Sequence, residues 1–362
     1  MTGRRFTGSV DGGKAENGLS FMHRWELSRN ETETDGRGED KVEGRTVEPV
    51  THNIQKRRTR PFGRLLRNIR EYPLLYLMAL PVVAWFVIYA YGPMYGLLIA
   101  FERYVPTKGI LGSQWVGLKN FRDFLTDPYF FRVLRNTLLI NLYLLIFAFP
   151  AAIILALLLN ELRMPRLRKA TQMVTYMPHF ISAMVICGLA VDFLKSSGLI
   201  TTALVRLFGI PRNNLLSVKG AFRTIYVTMQ IWQETGWDSI IFVAALSGVD
   251  PTLYEAAVID GASRFKRVLH VTIPAIMPTI IILLILRIGN MMTLGWEKIV
   301  LLYNQMTYET ADVISTYVYR RGLIQFDYSF STAVGMFNSI INFTLLVMAN
   351  TISRRINETS LW

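Results

Sequence analysis

Charge is scarce in this sequence and cysteine almost absent. Only 18% of the 362 residues are charged, and the single cysteine is Cys187. A soluble domain is about a quarter charged, so so low a share, with 51% apolar residues, points to membrane spans. One cysteine excludes a disulfide within the chain and a cysteine-rich metal cluster. Cys187 lies inside an apolar run and reads as a small buried residue. His179 and His270 stand far from any second ligand in sequence and read as packed or interfacial. No Ser-His-Asp set, paired-carboxylate signature or metal spacing converges. No G-x-x-x-x-G-K-[ST] stretch is present, so the chain has no phosphate cradle of its own. No apolar segment with a cleavage site occurs in the hydrophilic first 50 residues, which leaves no signal peptide to read.

What the chain does have is long uncharged runs. Residues 73–101, 136–160, 170–191 and 329–353 carry no Asp, Glu, Lys or Arg. Two further runs are interrupted: roughly 222–247, inward of Arg223, by Glu234 and Asp238, and roughly 272–295 by Arg287. A span needs about 20 apolar residues. The runs are continuous rather than alternating, so helices fit and a barrel does not. The expectation is an all-α membrane protein of six transmembrane helices over 73–353. Residues 1–50 read as a disordered polar tail. Residues 51–72 hold seven basic residues against Glu71 and read as an amphipathic elbow on the inner membrane face. Residues 354–362 form a short tail.

The basic excess, 39 Lys and Arg against 26 Asp and Glu, abuts the apolar runs. It therefore suits membrane topology and lipid contact better than nucleic acid. With the N-terminus inside, the segments 51–72, 161–170, 250–270 and 353–362 carry 16 basic residues. The longer outer loops 102–132, 195–223 and 296–330 carry 13. Both termini are then cytoplasmic, as is the polar stretch 250–272. Trp296 and Tyr303 suit an interfacial aromatic belt.

Polar residues inside spans are costly and tend to face a cavity. Gln230, Gln233, Glu234 and Trp237 fall at i, i+3, i+4 and i+7, one face of a helix. Amides and carboxylates bond hydroxyls, and an indole covers the C–H side of a pyranose, so this face suits a sugar pathway. Arg287 and Asn290 (i, i+3) and Asn338 and Asn342 (i, i+4) extend the candidate set. The alternative for the amides is interhelical hydrogen bonding. Arg287 has two readings, a pair with Glu234 or a contact to a uronate carboxylate.

In the stretch "EAAVIDGASRFKRVLHVTIP" (255–274), a first helix with a small apolar surface is expected. A turn at Gly261 and a second short helix follow, with Pro274 opening the next span. Arg264, Lys266 and Arg267 read as positive-inside charges facing lipid. Physics alone leaves an interfacial connector as the alternative. The pattern Glu255, Ala256, Ala257, Asp260, Gly261, Ile273 and Pro274 closely resembles the EAA loop of ABC importer permeases of the binding-protein-dependent sugar transport family. Likeness extends over 70–362. "WVGLKNFRDFLTDPYFFRVLRNTL" (115–138) is similar to the segment before the second span in sugar permeases. "YMPHFIS" (176–182), "DVISTYVYRRGL" (312–323) and "NETSLW" (357–362) resemble the branch that imports polysaccharides and complex oligosaccharides. Residues 1–50 have no recognised counterpart.

That resemblance implies the type I importer permease fold and a transport subunit, not an enzyme, in the cell membrane. It implies two cytoplasmic ATPase subunits, which bind ATP and Mg, docked on Glu255, Ala256, Ala257, Asp260 and Gly261. It also implies a second homologous permease subunit, an extracytoplasmic sugar-binding protein and an oligosaccharide cargo, with no cofactor in this chain. The competing function is an ion-coupled secondary sugar transporter using Glu234, Asp238 and Arg287 as a relay; no internal repeat supports it.

Overall fold

The computed structural model describes residues 71–357 and 360–362. The tail expected over 1–50 and nearly all of the elbow expected over 51–72 lie outside the described residues. By its internal contacts the chain divides after Pro73, and the unit from Leu74 to Trp362 carries the fold.

Among the described residues, four helices are long and apolar enough to cross a membrane: α1 (Pro73–Phe101), α3 (Phe130–Glu161), α9 (Arg264–Gly289) and α12 (Tyr328–Asn357). Two bent pairs raise the count to as many as six. In one, α4 (Pro165–Phe180) meets α5 (Ala183–Leu194) at 96°; in the other, α7 (Phe222–Ser247) meets α8 (Pro251–Ile259) at 73°. Between α1 and α3, a two-stranded antiparallel ribbon pairs β1 (Glu102–Arg103) with β2 (Gln114–Trp115), and α2 (Lys119–Leu125) follows. The short helix α6 (Leu199–Phe208) links α5 to α7. Beyond α9 come α10 (Trp296–Leu302) and α11 (Ile314–Tyr319).

Proline shapes three of the long helices in one way. A wide, π-type turn ends two residues before Pro93 in α1 (Phe86–Tyr91), before Pro150 in α3 (Leu144–Ala148) and before Pro274 in α9 (Val268–Thr272). Proline lacks an N–H and its ring presses on the carbonyl four residues back. A wider turn at that point relieves the clash and lets the helix continue through it.

The core is built by close approach. Ala152 and Ala156 of α3 pack against Phe242 and Leu246 of α7 and Ile276 of α9. Small residues at such contacts bring helices near enough for dispersion to hold them where hydrocarbon removes the hydrophobic drive. Gly236 of α7 is the tightest case. A Cβ there would stand 1.9 Å from the Thr175 carbonyl oxygen of α4.

Four expectations are corrected. The run 170–191 is not one helix. Pro178 ends α4 in a tight turn, Ile181 is extended, and the Ser182 hydroxyl accepts from Val185 N–H (3.4 Å) to cap α5. The helix read as 272–295 runs from Arg264 to Gly289, so the expected second short helix after Gly261 is the first turn of α9. The region expected as an outer loop, 296–330, is folded rather than open: Ile299, Ala311, Val313 and Ile314 are buried. Asp312 holds Arg320 through two hydrogen bonds of 2.7 Å, and Asn136 of α3 donates to the carbonyls of Asp312 (2.8 Å) and Glu309 (3.0 Å). Arg223 of α7 donates to Asn136 Oδ1 at 2.7 Å, which joins this region to two long helices. Lastly, α12 runs past 353 to Asn357, and Leu361 N–H donates back to Asn350 Oδ1 (2.8 Å).

The α4–α7 contact tests the packing. Gly236→Ala places a methyl against backbone that cannot rotate away, so a loss of about 1–3 kcal/mol is expected, the scale of overpacking. Thermal unfolding of the detergent-purified protein should show a clearly lowered midpoint; an unchanged midpoint would refute the close approach.

Candidate functional site

Glu234 lies near the middle of α7, where a carboxylate is poorly tolerated by hydrocarbon. Two partners satisfy it. His179, in the turn that ends α4, meets Glu234 Oε2 through Nδ1 at 2.7 Å. Lys298, from α10, places Nζ 3.5 Å from Oε1. The same ammonium donates to Gln233 Oε1 (2.6 Å) and to Gln230 Oε1. Gln233 is 4% exposed, and its Nε2 donates to the Ile181 carbonyl at 3.2 Å, the extended residue between α4 and α5. The Trp237 indole stacks on the His179 ring, with centroids 4.3 Å apart and planes 3° from parallel. The expected face of α7 therefore exists, and it organises the break between α4 and α5.

Lys298 is positioned by packing. Its helix lies on α5, its neighbour Ile299 is fully buried, and Cys187 Sγ contacts the Lys298 carbonyl at 3.7 Å. Sequence reasoning assigned this lysine to an outer loop and His179 to no partner. Residues 296–302 pair Trp296, Glu297 and Lys298 with a buried apolar side, an amphipathic signal that a seven-residue helix gives only faintly.

A cavity of about 320 Å³ opens beside the cluster. Asn141, Tyr226, Gln230, Arg287, Asn290 and Lys298 are among its lining residues. Arg287 and Asn290 also line a second cavity of about 330 Å³ with Asp238 and Phe149. The structure thus brings Gln230, Arg287 and Asn290 together. Arg287 forms no ion pair with Glu234, whose two oxygens are taken by His179 and Lys298. Asn342 lies elsewhere: its amide accepts from Met292 N–H (2.9 Å) and donates to Thr293 Oγ1 (2.8 Å), tying α12 to the end of α9. Asn338 Oδ1 is buried without a hydrogen-bond partner, and neither asparagine lines these two cavities. Among the described residues, no group of three His, Cys, Asp or Glu side chains could hold a metal ion.

The second candidate region is the hinge between α7 and α9. Asp250 caps α8 by accepting from Thr252 N–H at 2.9 Å, and the bonds from Thr252 hold its carboxyl below the usual range. At the other end Gly261 adopts φ +73°. Its N–H donates to the Val258 carbonyl (3.0 Å), and that of Ala262 to Ala257 (2.9 Å). This is the paired Schellman closure, which needs a left-handed residue. Ser263 then caps α9 through Lys266 N–H at 3.4 Å. Tyr254 OH lies 3.1 Å from Thr272 Oγ1, fastening α8 to the wide turn of α9. Glu255, Ala256, Asp260 and Gly261 are exposed and Ala257 half-buried. Beside them Ile259 is 86% and Phe265 75% exposed.

Comparison with known proteins adds the following. Residues 148–358 match the family described as "Binding-protein-dependent transport system inner membrane component". The chain is 42% identical to the polygalacturonan/rhamnogalacturonan transport system permease protein YteP of Bacillus subtilis (strain 168), over 87% of this chain and 97% of that protein. It is 45% identical to Protein LplB of the same organism, over 80% and 91%. A chain of the bacterial alginate ABC transporter, crystallised with its alginate pentasaccharide-bound periplasmic protein, superposes with a TM-score of 0.75. Identity there is 41%, with 82% of this chain and 100% of that chain covered.

The Glu234 cluster predicts energetic coupling between α7 and α10. Lys298→Met should destabilise by about 1–3 kcal/mol, because it leaves a half-buried carboxylate and two amides short of a donor. Adding Glu234→Gln should recover part of that loss. A double-mutant cycle read by thermal unfolding is expected to show about 1–2 kcal/mol of coupling; strict additivity would refute the contact.

Proposed function

The chain belongs to the family of binding-protein-dependent transport system inner membrane components, and from that premise we propose how it couples ATP hydrolysis to import. It is a multi-pass permease subunit of a sugar ABC transporter, a transport component and not an enzyme. In the proposed arrangement it has six spans, counting each bent pair as one, with both termini cytoplasmic. Two cytoplasmic ATPase subunits bind ATP and Mg and dock on the α8–α9 hinge. A second, homologous permease completes the pathway, and an extracytoplasmic binding protein delivers an oligosaccharide.

The observation that carries this reading is the hinge. Leu253, Val258, Ile259 and Phe265 are apolar and exposed on a polar, rigidly closed turn, which suits burial against a protein partner. The turn is continuous with α9, and Arg287 in the last turn of α9 and Asn290 just past its end line both cavities. At 1.5 Å per residue, Arg264 and Arg287 are about 35 Å apart. A push on the hinge therefore moves one wall of the cavity without any intervening flexible link. Glu255 anchors the partner through a basic residue, and Gly261 sets the turn. Gln230, Asn290 and Arg287 face the sugar in the first cavity, Asp238 lines the second, and Trp237, stacked on His179 outside both linings, offers its exposed edge to the path. Gln233, Glu234 and Asn342 hold the helices that shape the path.

Gly261→Asp tests the hinge. A Cβ at Gly261 meets nothing within 4 Å, and aspartate tolerates the left-handed conformation better than most residues, so the permease should fold and insert. The added carboxylate would occupy the space a partner needs. Sugar-stimulated ATP hydrolysis by the assembled complex should be abolished. Normal stimulation would remove the coupling role, and uptake that persists without any ATPase while collapsing with the ion gradient would favour secondary transport. Trp237→Ala should raise the sugar concentration needed for half-maximal uptake; unchanged uptake kinetics would remove Trp237 from the pathway.

A further inference from the structure

The loop between α5 and α7, outer in the proposed topology, is one-sided in charge. No Asp or Glu occurs between Asp192 and Glu234, whereas Lys195, Arg206, Arg212, Lys219 and Arg223 do. Basic residues concentrate on the cytoplasmic side of membrane proteins, so five in an outer loop without one acid need a physical reason. Three have partners within the fold. Lys195 pairs with Asp192 (3.0 Å), Lys219 pairs with Glu309 (2.9 Å), and Arg223 donates to Asn136 (2.7 Å). Arg206 and Arg212 are exposed, and their side chains form no ion pair or hydrogen bond among the described residues.

The same loop carries α6 (Leu199–Phe208), whose only polar side chains are Thr201, Thr202 and Arg206. Its 10 residues reach about 15 Å, too short to cross a bilayer core that takes about 20 residues. One side of α6 is already covered. It packs on α5, where the buried Thr201 hydroxyl donates to the Leu194 carbonyl at 2.9 Å, and Leu204 and Val205 are half-buried. The joint is tight as well. A Cβ on Gly198 would stand 2.2 Å from the Phe193 carbonyl oxygen, so the turn from α5 into α6 closes only around glycine. The other side is bare. Leu199, Ile200, Ala203 and Leu207 fall at i, i+1, i+4 and i+8, an arc of about 100°, and Leu199 and Leu207 are 72% and 76% exposed. Thr202 and Arg206 run along one edge of that arc.

We propose that α6 is an interfacial anchor in the outer leaflet, with its apolar stripe sunk among the upper acyl chains and Arg206 and Arg212 bound to the phosphates of anionic lipid headgroups. The inference goes beyond the importer reading but rests on its topology. A short helix with an apolar face and basic residues at its edge is the chemistry of a membrane-surface segment, and unpaired cations complement an acidic leaflet. The stripe also continues a surface that lipid already covers. It begins across the Gly198 turn from Phe193, which is exposed, as is Leu189 one turn earlier in α5, part of a bent pair apolar enough to span. A binding protein that docks and leaves would abandon this stripe to water between deliveries, whereas lipid covers it throughout. Anchored in this way, α6 holds the outer end of α5, the helix on which α10 and Lys298 rest.

The test places a fluorescent label on Leu207→Cys in the assembled transporter, in lipid nanodiscs. The wild type sets the background, because its one cysteine, Cys187, is buried. Lipids carrying a nitroxide near the headgroup should quench the label, and aqueous iodide should not. Quenching by iodide would put α6 in water, and protection from both quenchers would put a protein subunit on it; either result overturns the anchor. Nitroxide-labelled phosphatidylglycerol should quench about two- to fivefold more than the choline lipid at the same mole fraction, the scale of one or two basic contacts. Arg206→Gln with Arg212→Gln should bring the two lipids level, and equal quenching in the parent would remove the headgroup contact. On intact spheroplasts, a membrane-impermeant maleimide should label Asn213→Cys; labelling only after permeabilisation would overturn the outer placement. Sugar-stimulated ATP hydrolysis is measured in the same nanodiscs. Its absence in the wild type would remove the importer reading while a lipid-quenched Leu207→Cys label kept the anchor, and its presence with an iodide-quenched label would do the reverse.

Discussion

A carboxylate in the middle of an apolar helix is the constraint around which the centre of this protein is arranged. Glu234 cannot be left to hydrocarbon, and one partner does not satisfy both of its oxygens. His179 takes one and Lys298 approaches the other. To supply them, α4 must stop at Pro178 and turn by 96°, and α10 must fold back against α5. Gln230 and Gln233 complete the set by sharing the lysine. The break in the third apolar run brings His179 to Glu234, and the packing of α10 on α5 brings Lys298 to it, beside the first cavity.

The second organising feature is stiffness between distant points. Asp250, Gly261 and Ser263 close the α8–α9 turn through caps at both ends, and Tyr254 fastens it to Thr272. From there α9 runs without a gap to the cavity wall. Pro274 does not interrupt it, because the wide turn over Val268–Thr272 absorbs the missing donor. Under the proposed coupling, such a strut carries displacement. Loose joints would spend the motion locally, whereas packed elements pass it on.

The candidate site was legible in part. The polar face of α7 follows from the spacing of Gln230, Gln233, Glu234 and Trp237, because a period of 3.6 residues needs no knowledge of neighbours. Which of those residues meets a cavity and which holds the fold does not follow, since that depends on partners far away in sequence. Gln233 bonds a backbone carbonyl 52 residues away, and Lys298 reaches Gln230 across 68. Asn338 and Asn342 share a helix face as expected, but only packing shows that Asn342 is consumed by the end of α9. The Glu234–Arg287 pair was a fair guess between two charges in apolar runs; His179 and Lys298 lie closer.

By itself, the sequence determined the helical membrane class, the placing of most apolar runs and the turn at Gly261. Each of these is local: hydropathy sums over neighbours, and a left-handed glycine is decided within five residues. Tertiary structure alone decided the break at Ile181–Ser182, the folding of 296–324 into the core and the identity of Glu234's partners. These choices balance burial against hydrogen bonding between segments that meet only when the helices pack.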